Sequence, residues 1–172
     1  RDPRRQSRMP RVVERLEVDV GLPGRTSALA YRASAPRLGA TLMLAHGAGA
    51  GQDSRFMVRF AEGLAARGVD VLTFNFLYAE RRRRLPDRAP ALEACYRAAI
   101  SSACAHPPFL GNALFIGGKS MGGRIASHLV ASSGNQVGDG QPPTDDGRRL
   151  GNTEARGAVL LGYPLHPPGK PD

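Results

Sequence analysis

Apolar residues recur along this chain with two periods, and the switching between them lays out an order of elements. Val12 to Val20 (VVERLEVDV) alternates apolar and polar residues, as a half-buried strand does. The turn GLPGR follows, and Ser27 to Ala33 (SALAYRA) predicts a second strand, so the two are expected to form a β-hairpin. Thr41 to His46 (TLMLAH) is a continuous apolar run ending in GAGAG, the pattern of a buried parallel strand that delivers a loop. Phe56, Phe60 and Leu64 stand at helical spacing and predict a helix over Phe56 to Arg67 with Gly68 as its C-cap. Asp53 is expected to cap that helix from its N-terminal side.

The alternation continues. Val69 to Phe76 predicts a strand, RRRRLPDRAP a polar connection, and ALEACYRAAISSAC a helix. Asn112 to Gly118 is another apolar run, Ser120 to Ala131 a helix, and Gly157 to Leu165 a last strand. Ser132 to Arg156 has no apolar period and is expected to be a flexible surface insertion, longer than an ordinary connection. Residues 1–11 are expected to be a disordered tail. The order β-β-β-α-β-α-β-α-β implies an α/β fold: a mostly parallel sheet, joined by right-handed crossovers and covered by helices on both faces. Ligands of such sheets bind beyond the carboxyl ends of the strands. Both Gly-rich segments, GAGAG and GGKSMGG, follow strands, so they are expected to meet at one edge.

Composition narrows the function without naming it. At 172 residues and 41% hydrophobic, the chain is long enough for one domain with a real core. No apolar run reaches the roughly 20 residues that a membrane span needs. The start, RDPRRQSRMPR, has no apolar stretch after its charges and does not read as a secretory signal; it lacks an initiator methionine, as a trimmed chain would. The net charge of +9 comes almost wholly from arginine, Lys119 and Lys170 being the only lysines. Arginines collect in the first fifteen residues and in Arg81 to Arg84, where solvated charge is ordinary, and no nucleic-acid motif accompanies them. No nucleic-acid or membrane partner is therefore expected. Cys95 and Cys104 lie nine residues apart on one predicted helix, which puts them on opposite faces and predicts two free thiols in a reducing cytoplasm. No Cys/His spacing suggests zinc, and no metal or other cofactor is expected.

The chemistry concentrates in IGGKSMGG, Ile116 to Gly123, which admits two readings. GGKS resembles the end of a phosphate-binding loop, but that motif needs a glycine five residues before Gly118, and the chain has Ala113 there within an apolar strand. Gly118-Lys119-Ser120-Met121-Gly122 fits G-x-S-x-G between strand and helix, the turn that lifts a serine hydroxyl above a sheet. Ser120 is thus the candidate nucleophile, with glycines two residues to either side to relieve the crowding of a sharp turn. An acyl-transfer serine needs two backbone N–H donors for the oxyanion. Met121 is expected to supply one, and Ala48, in the HGAGAG loop, the other. His46, Gly47, Lys119 and His166 are expected to border the substrate, His46 chiefly by ordering the loop.

Three segments, LAHGAGAGQDSRFM, IGGKSMGGRIAS and LLGYPLHPPGKP, together resemble the α/β-hydrolase-like proteins related to testis-expressed protein 30 and to subunit three of the non-specific lethal complex. That group is itself similar to dienelactone hydrolases. The resemblance runs from about Thr41 to the last residue and implies a serine-hydrolase fold with Ser120 at the nucleophile position. It implies that residues 12–172 are a partial α/β-hydrolase domain, whose catalytic acid and histidine lie on later strand ends, past residue 172. Of the histidines after Ser120, His128 lies eight residues along the same predicted helix, about 12 Å up its axis, too far to serve as base. His166 follows a strand and is expected to line the pocket. The expected function is hydrolysis of a small ester, lactone or thioester through an acyl-enzyme; the alternative is a non-catalytic interaction module on the same fold. Oligomeric state stays open.

Overall fold

The computed structural model describes residues 13–134 and 155–162. The expected tail, most of the expected insertion and His166 lie outside the described residues; the last strand ends at Leu161, with Gly162 at φ +57°, and residues 163–165 of its expected span lie outside them too. Six strands form one sheet: β1 Val13–Asp19, β2 Arg25–Tyr31, β3 Ala40–Ala45, β4 Asp70–Phe74, β5 Ala113–Lys119 and β6 Gly157–Leu161. The helices are α1 Arg55–Ala65, α2 Leu77–Glu80, α3 Ala89–Ala105 and α4 Met121–Gly134, with a 3₁₀ turn at Pro107–Phe109.

The sheet runs in the order β1-β2-β4-β3-β5-β6. β1 and β2 pair as an antiparallel hairpin from Val13↔Tyr31 to Asp19↔Arg25. β2 then pairs antiparallel with β4, and every pairing beyond is parallel. This is the expected mostly parallel sheet, with the first hairpin as its antiparallel margin. Parallel neighbours need crossovers, and the helices supply them.

The sheet is dressed on both faces because successive side chains of a strand point to opposite sides. From β3, Leu42 and Leu44 join Val71, Tyr31 and the α1 residues Met57, Ala61 and Ala65. Met43 and Ala45 turn the other way, toward Leu72, Phe74, Tyr96, Ile125 and Leu129. A strand buried on both faces shows no alternation in sequence, which is why β3 reads as a continuous apolar run.

Buried Asp70 pins the edge of the sheet opposite the two Gly-rich segments. Its carboxylate accepts from Ala33 N–H (2.8 Å), Arg37 Nη2 (2.5 Å) and Asn112 Nδ2 (2.9 Å). A carboxylate this deeply desolvated is tolerable only with such partners.

Several expectations are displaced. β2 lies two residues earlier than predicted, because the hairpin closes on a turn in which Gly24 N–H bonds back to Gly21 O (2.8 Å). The C-cap of α1 is Ala66, with Gly68, at φ +88°, closing a further turn. Its N-cap is Ser54 and makes no side-chain cap bond, so Asp53, one residue outside, does not cap it. α2 was not predicted at all: four residues carry no periodicity. α4 reaches Gly134, three residues past its expected end. Cys95 is buried and Cys104 half-buried, and both thiols are free; burial pushes Cys95 up to about 12.

Candidate functional site

β5 ends at Lys119 and α4 begins at Met121, so Ser120 alone makes the turn between them. It does so at φ +50°, in the left-handed region that side chains other than glycine seldom adopt. Its N–H donates to Leu161 O of β6 (2.9 Å), and its carbonyl accepts from Arg124 N–H (3.0 Å). The backbone on both sides is therefore fixed, which is the condition under which such strain persists.

The flanking glycines explain how the turn fits. A Cβ on Gly118 would lie 2.5 Å from Gly122 C and 2.7 Å from Ala45 O. A Cβ on Gly122 would lie 2.5 Å from Ala45 O and 2.7 Å from His46 O. Three backbones (the end of β3, the end of β5 and the first turn of α4) thus pack directly on one another. The sequence expectation that these glycines relieve crowding is matched, and the crowding partner is β3.

The same packing joins the two Gly-rich segments. A Cβ on Gly47 would stand 3.3 Å from Lys119 O and 3.7 Å from Ser120 Cβ, so the loop after β3 lies against the elbow. His46 anchors that loop from beneath. Its Nδ1–H donates to Gly47 O (2.8 Å), while Nε2 accepts from Phe76 N–H (3.1 Å), which selects the neutral Nδ1–H tautomer. Phe76 and Tyr78 meet the ring edge-on, with centroids at 5.1 and 6.0 Å. Burial holds the His46 pKa below its ordinary value; the Gly47 hydrogen bond and Asp53 oppose this without reversing it. The ring is 0% exposed, so the expectation that the His46 side chain borders substrate is corrected: both nitrogens are spent on backbone, and its place is under the loop.

Ala48 and Gly49, just beyond, are exposed, and Gly49 takes φ +71°. Tyr78 is buried, its hydroxyl has no hydrogen-bond partner among the described residues, and burial raises its pKa. Met121 opens α4, so its N–H is among those a helix leaves without an internal acceptor. Lys119 is exposed and turns its Nζ over the Phe56 ring of α1, 4.6 Å from the centroid.

A polar network that the sequence did not announce ties the loop to β2, β4 and α2. Gln52 N–H donates to Asn75 Oδ1 (2.8 Å), and Gln52 Nε2 to Ser27 Oγ (2.7 Å). Ser27 Oγ and Asn75 Nδ2 both donate to Glu80 Oε2, at 2.7 and 2.8 Å. Burial raises the Glu80 carboxyl, but these bonds and the charge of Arg15 outweigh it and leave the pKa low. The one available signal was Asn75, a polar residue inside VDVLTFNF. Tyr96 is likewise a hidden support. Its buried hydroxyl accepts from Gly117 N–H (2.9 Å) and lies 2.7 Å from Gly117 O and 3.0 Å from Met43 O, bracing the seam between β3 and β5 just before the elbow.

None of the three described histidines reaches Ser120. His46 is occupied as above, His106 lies 3.2 Å from Glu14, and His128 lies 3.0 Å from Glu93 on α3. His166, the fourth in the chain, is outside the described residues. Among the described residues no group of His, Cys, Asp or Glu could hold a metal ion, and no helix is long and apolar enough to cross a membrane.

Residues 39–172 match a protein family described as alpha/beta hydrolase domain. No curated protein matches the chain. Among solved structures it is similar to a lidless α/β serine hydrolase from Xanthomonas campestris, at 19% identity and TM-score 0.60, covering 72% of this chain and 58% of that one. It is similar to dienelactone hydrolase from Anabaena variabilis at 20% identity and TM-score 0.60, covering 73% and 59%. An α/β serine hydrolase homologue from Coxiella burnetii gives 16% identity and TM-score 0.58, covering 72% and 58%. The match spans less than three fifths of the length of each of these structures.

Proposed function

The chain belongs to the alpha/beta hydrolase domain family, and from that premise we propose that it is a serine hydrolase with Ser120 as nucleophile. One observation carries the reading: a serine at φ +50° on a strand-to-helix turn, pressed by Gly118 and Gly122 against the loop after β3. Strain of this kind costs about 1–3 kcal/mol and is kept where surrounding structure enforces it, most often at functional positions. Glycine is the common residue at such a dihedral, and serine stands here instead.

In this reading Ser120 Oγ attacks the carbonyl carbon of a small ester, lactone or thioester. The new C–O bond places the carbonyl electrons on oxygen, where Met121 N–H and Ala48 N–H receive them. The bond to the alcohol or thiol then breaks, that group leaving with the proton taken from Ser120. Water repeats the attack on the acyl-enzyme, releasing the acid and restoring the hydroxyl. Gly47 and Lys119 border the acyl group. A base that the described residues do not include accepts the Ser120 proton, and His166 borders the substrate. Within the family, the three motifs favour kinship with the group related to testis-expressed protein 30.

A fluorophosphonate probe, which needs an activated serine but no particular substrate, is expected to label Ser120 in the full-length protein, located by peptide mass spectrometry. A folded full-length protein that stays unlabelled excludes the enzyme. The competing reading, a non-catalytic interaction module, draws on the absence of a histidine beside Ser120 among the described residues. The same labelling separates the two.

A further inference from the structure

A cavity of about 540 Å³ opens beside the loop after β3, within the size range of small-molecule sites. Residues 49–51 of that loop form one wall. The wall starts two residues from Gly47, at most about 7 Å of chain from the residue that touches Ser120. Around the rest stand Arg15, Arg82, Arg83 and Arg84 against Asp53 and Glu80: four guanidinium groups and two carboxylates, a surplus of two positive charges. Among the described residues, Arg82 and Arg84 have no ion-pair partner, whereas Arg83 pairs with Asp87 (2.6 Å) and Arg15 with Glu80 (3.8 Å).

The backbone that delivers these arginines is unusual. Arg82 N–H donates to Ala79 O (2.9 Å) and Arg83 N–H to Tyr78 O (2.8 Å), the paired bonds of a Schellman motif closing α2. That motif places the residue just past the helix C-cap in the left-handed region, where glycine is the usual residue. Here it is Arg82, at φ +56°. An exposed turn thus carries a strained arginine where glycine would be easier. Neither packing nor an internal ion pair accounts for it, and a ligand of the side chain would. Arg81, by contrast, turns away and donates to Pro23 O.

We propose that this cavity recognises a phosphoryl group, and that the acyl substrate of Ser120 carries one. The substrate statement rests on the serine-hydrolase reading; the cavity statement does not. A phosphoryl group bears about −1.5 to −2 charge and three acceptor oxygens, which matches two unpaired guanidinium forks and a surplus of two charges. A dicarboxylate such as malonate can reach both forks, but each of its ends offers one charge and two oxygens against a phosphoryl group's three oxygens and higher charge.

The test uses inorganic pyrophosphate and malonate as probes of the full chain, by calorimetry. Pyrophosphate is expected to bind more tightly than malonate. R82G and R84A are each expected to weaken it about ten-fold or more, the loss of one charge-assisted contact. R82G is expected to do so with an unchanged or higher Tm, which separates lost recognition from lost fold. R97A, which removes an exposed arginine on α3 away from the cavity, is expected to leave affinity unaltered. No pyrophosphate binding, malonate bound as tightly, or R97A as damaging as R82G overturns the site. Labelling by a neutral fluorophosphonate does not depend on the cavity. Labelled Ser120 without pyrophosphate binding therefore sinks the phosphoryl site alone. Pyrophosphate binding without labelling leaves an anion site and removes the substrate statement.

Discussion

Among the described residues, two that are not glycine sit in the left-handed region: Ser120 at φ +50° and Arg82 at φ +56°. Their dihedrals nearly coincide, but their surroundings do not. Ser120 is half-buried where three backbones meet, bonded to Leu161 on one side and Arg124 on the other, with no room for a Cβ at Gly118 or Gly122. Arg82 is exposed, held only by the local bonds that close α2. The elbow is strained because tertiary packing leaves the chain no other path. The α2 turn is strained because of which residue occupies it. The first kind of strain is a property of the fold, and the second a property of one side chain.

The largest test of that contrast is chemical. Ser120→Ala keeps the same left-handed strain and the same backbone bonds, so Tm is expected to stay within a few degrees. Fluorophosphonate labelling is expected to vanish, and ester hydrolysis to drop by about 10⁴-fold or more, as removal of a nucleophile does. Residual labelling at another residue of S120A would place the reactive group elsewhere.

The next test is steric. Gly118→Ala drives a Cβ into Gly122 and Ala45 backbone that cannot move aside, and is expected to cost roughly 3 kcal/mol or more in urea unfolding. Gly63, inside α1, is the counter-example: a Cβ there meets only the tip of Arg67 at 3.7 Å. Gly63→Ala is expected to stabilise the chain by about 0.5–1 kcal/mol, the helix-propensity difference. Equal effects at the two positions would mean that the elbow is not sterically locked.

This difference bears on what the sequence could disclose. G-x-S-x-G between an apolar run and a helical period was enough to place Ser120 on a strand-to-helix turn, because such a turn's requirements are local in sequence. The strand runs were legible for the same reason. The position of β4 between β2 and β3 was not, since nothing in a strand's own residues says which neighbour it pairs with. His46 was read as a residue bordering substrate because the motif puts it beside the loop. Its burial depends on Phe76 and Tyr78, some thirty residues away. The Arg81 to Arg84 run read as solvated charge, and three of the four prove to face one cavity, a consequence of the unpredicted α2 and its cap. Features set by short-range geometry were visible, and those set by the meeting of distant segments were not.

His46 offers a test of intermediate size, because the elbow loop rests on its neutral ring. In the unfolded chain the imidazole titrates near 6.5; in the folded chain burial lowers its pKa. Below pH 6.5 the unfolded state therefore binds a proton that the folded state refuses. Stability falls as pH drops from 6.5 toward the folded value, by at most about 1.4 kcal/mol per pH unit, and this group contributes no slope above 6.5. Asp53, the acidic group whose charge acts on the ring, opposes the shift without removing it. His46→Gln retains a donor and an acceptor but no titration, so its Tm-against-pH curve is expected to be flatter between pH 7 and 5. Parallel curves for the two proteins would show that the ring is not held neutral.

The smallest effect is the most direct comparison of the two strained residues, because glycine can replace both. A left-handed non-glycine residue costs about 1–2 kcal/mol, and glycine gives back about 0.5–1 kcal/mol through the freer unfolded chain. Arg82→Gly is therefore expected to gain roughly 0.5–1 kcal/mol by urea unfolding, since its backbone bonds to Ala79 and Tyr78 carbonyls remain and its side chain has no ion-pair partner to lose. Ser120→Gly gains from the same dihedral, but it also frees a turn whose rigidity the surrounding glycines already tax. Its gain is expected to be smaller than that of Arg82→Gly, with labelling abolished. If Ser120→Gly stabilised as much as Arg82→Gly, the elbow's strain would be as local as that of the α2 turn. If Arg82→Gly destabilised the chain, the arginine would be holding the fold, and its left-handed backbone would no longer argue for a ligand.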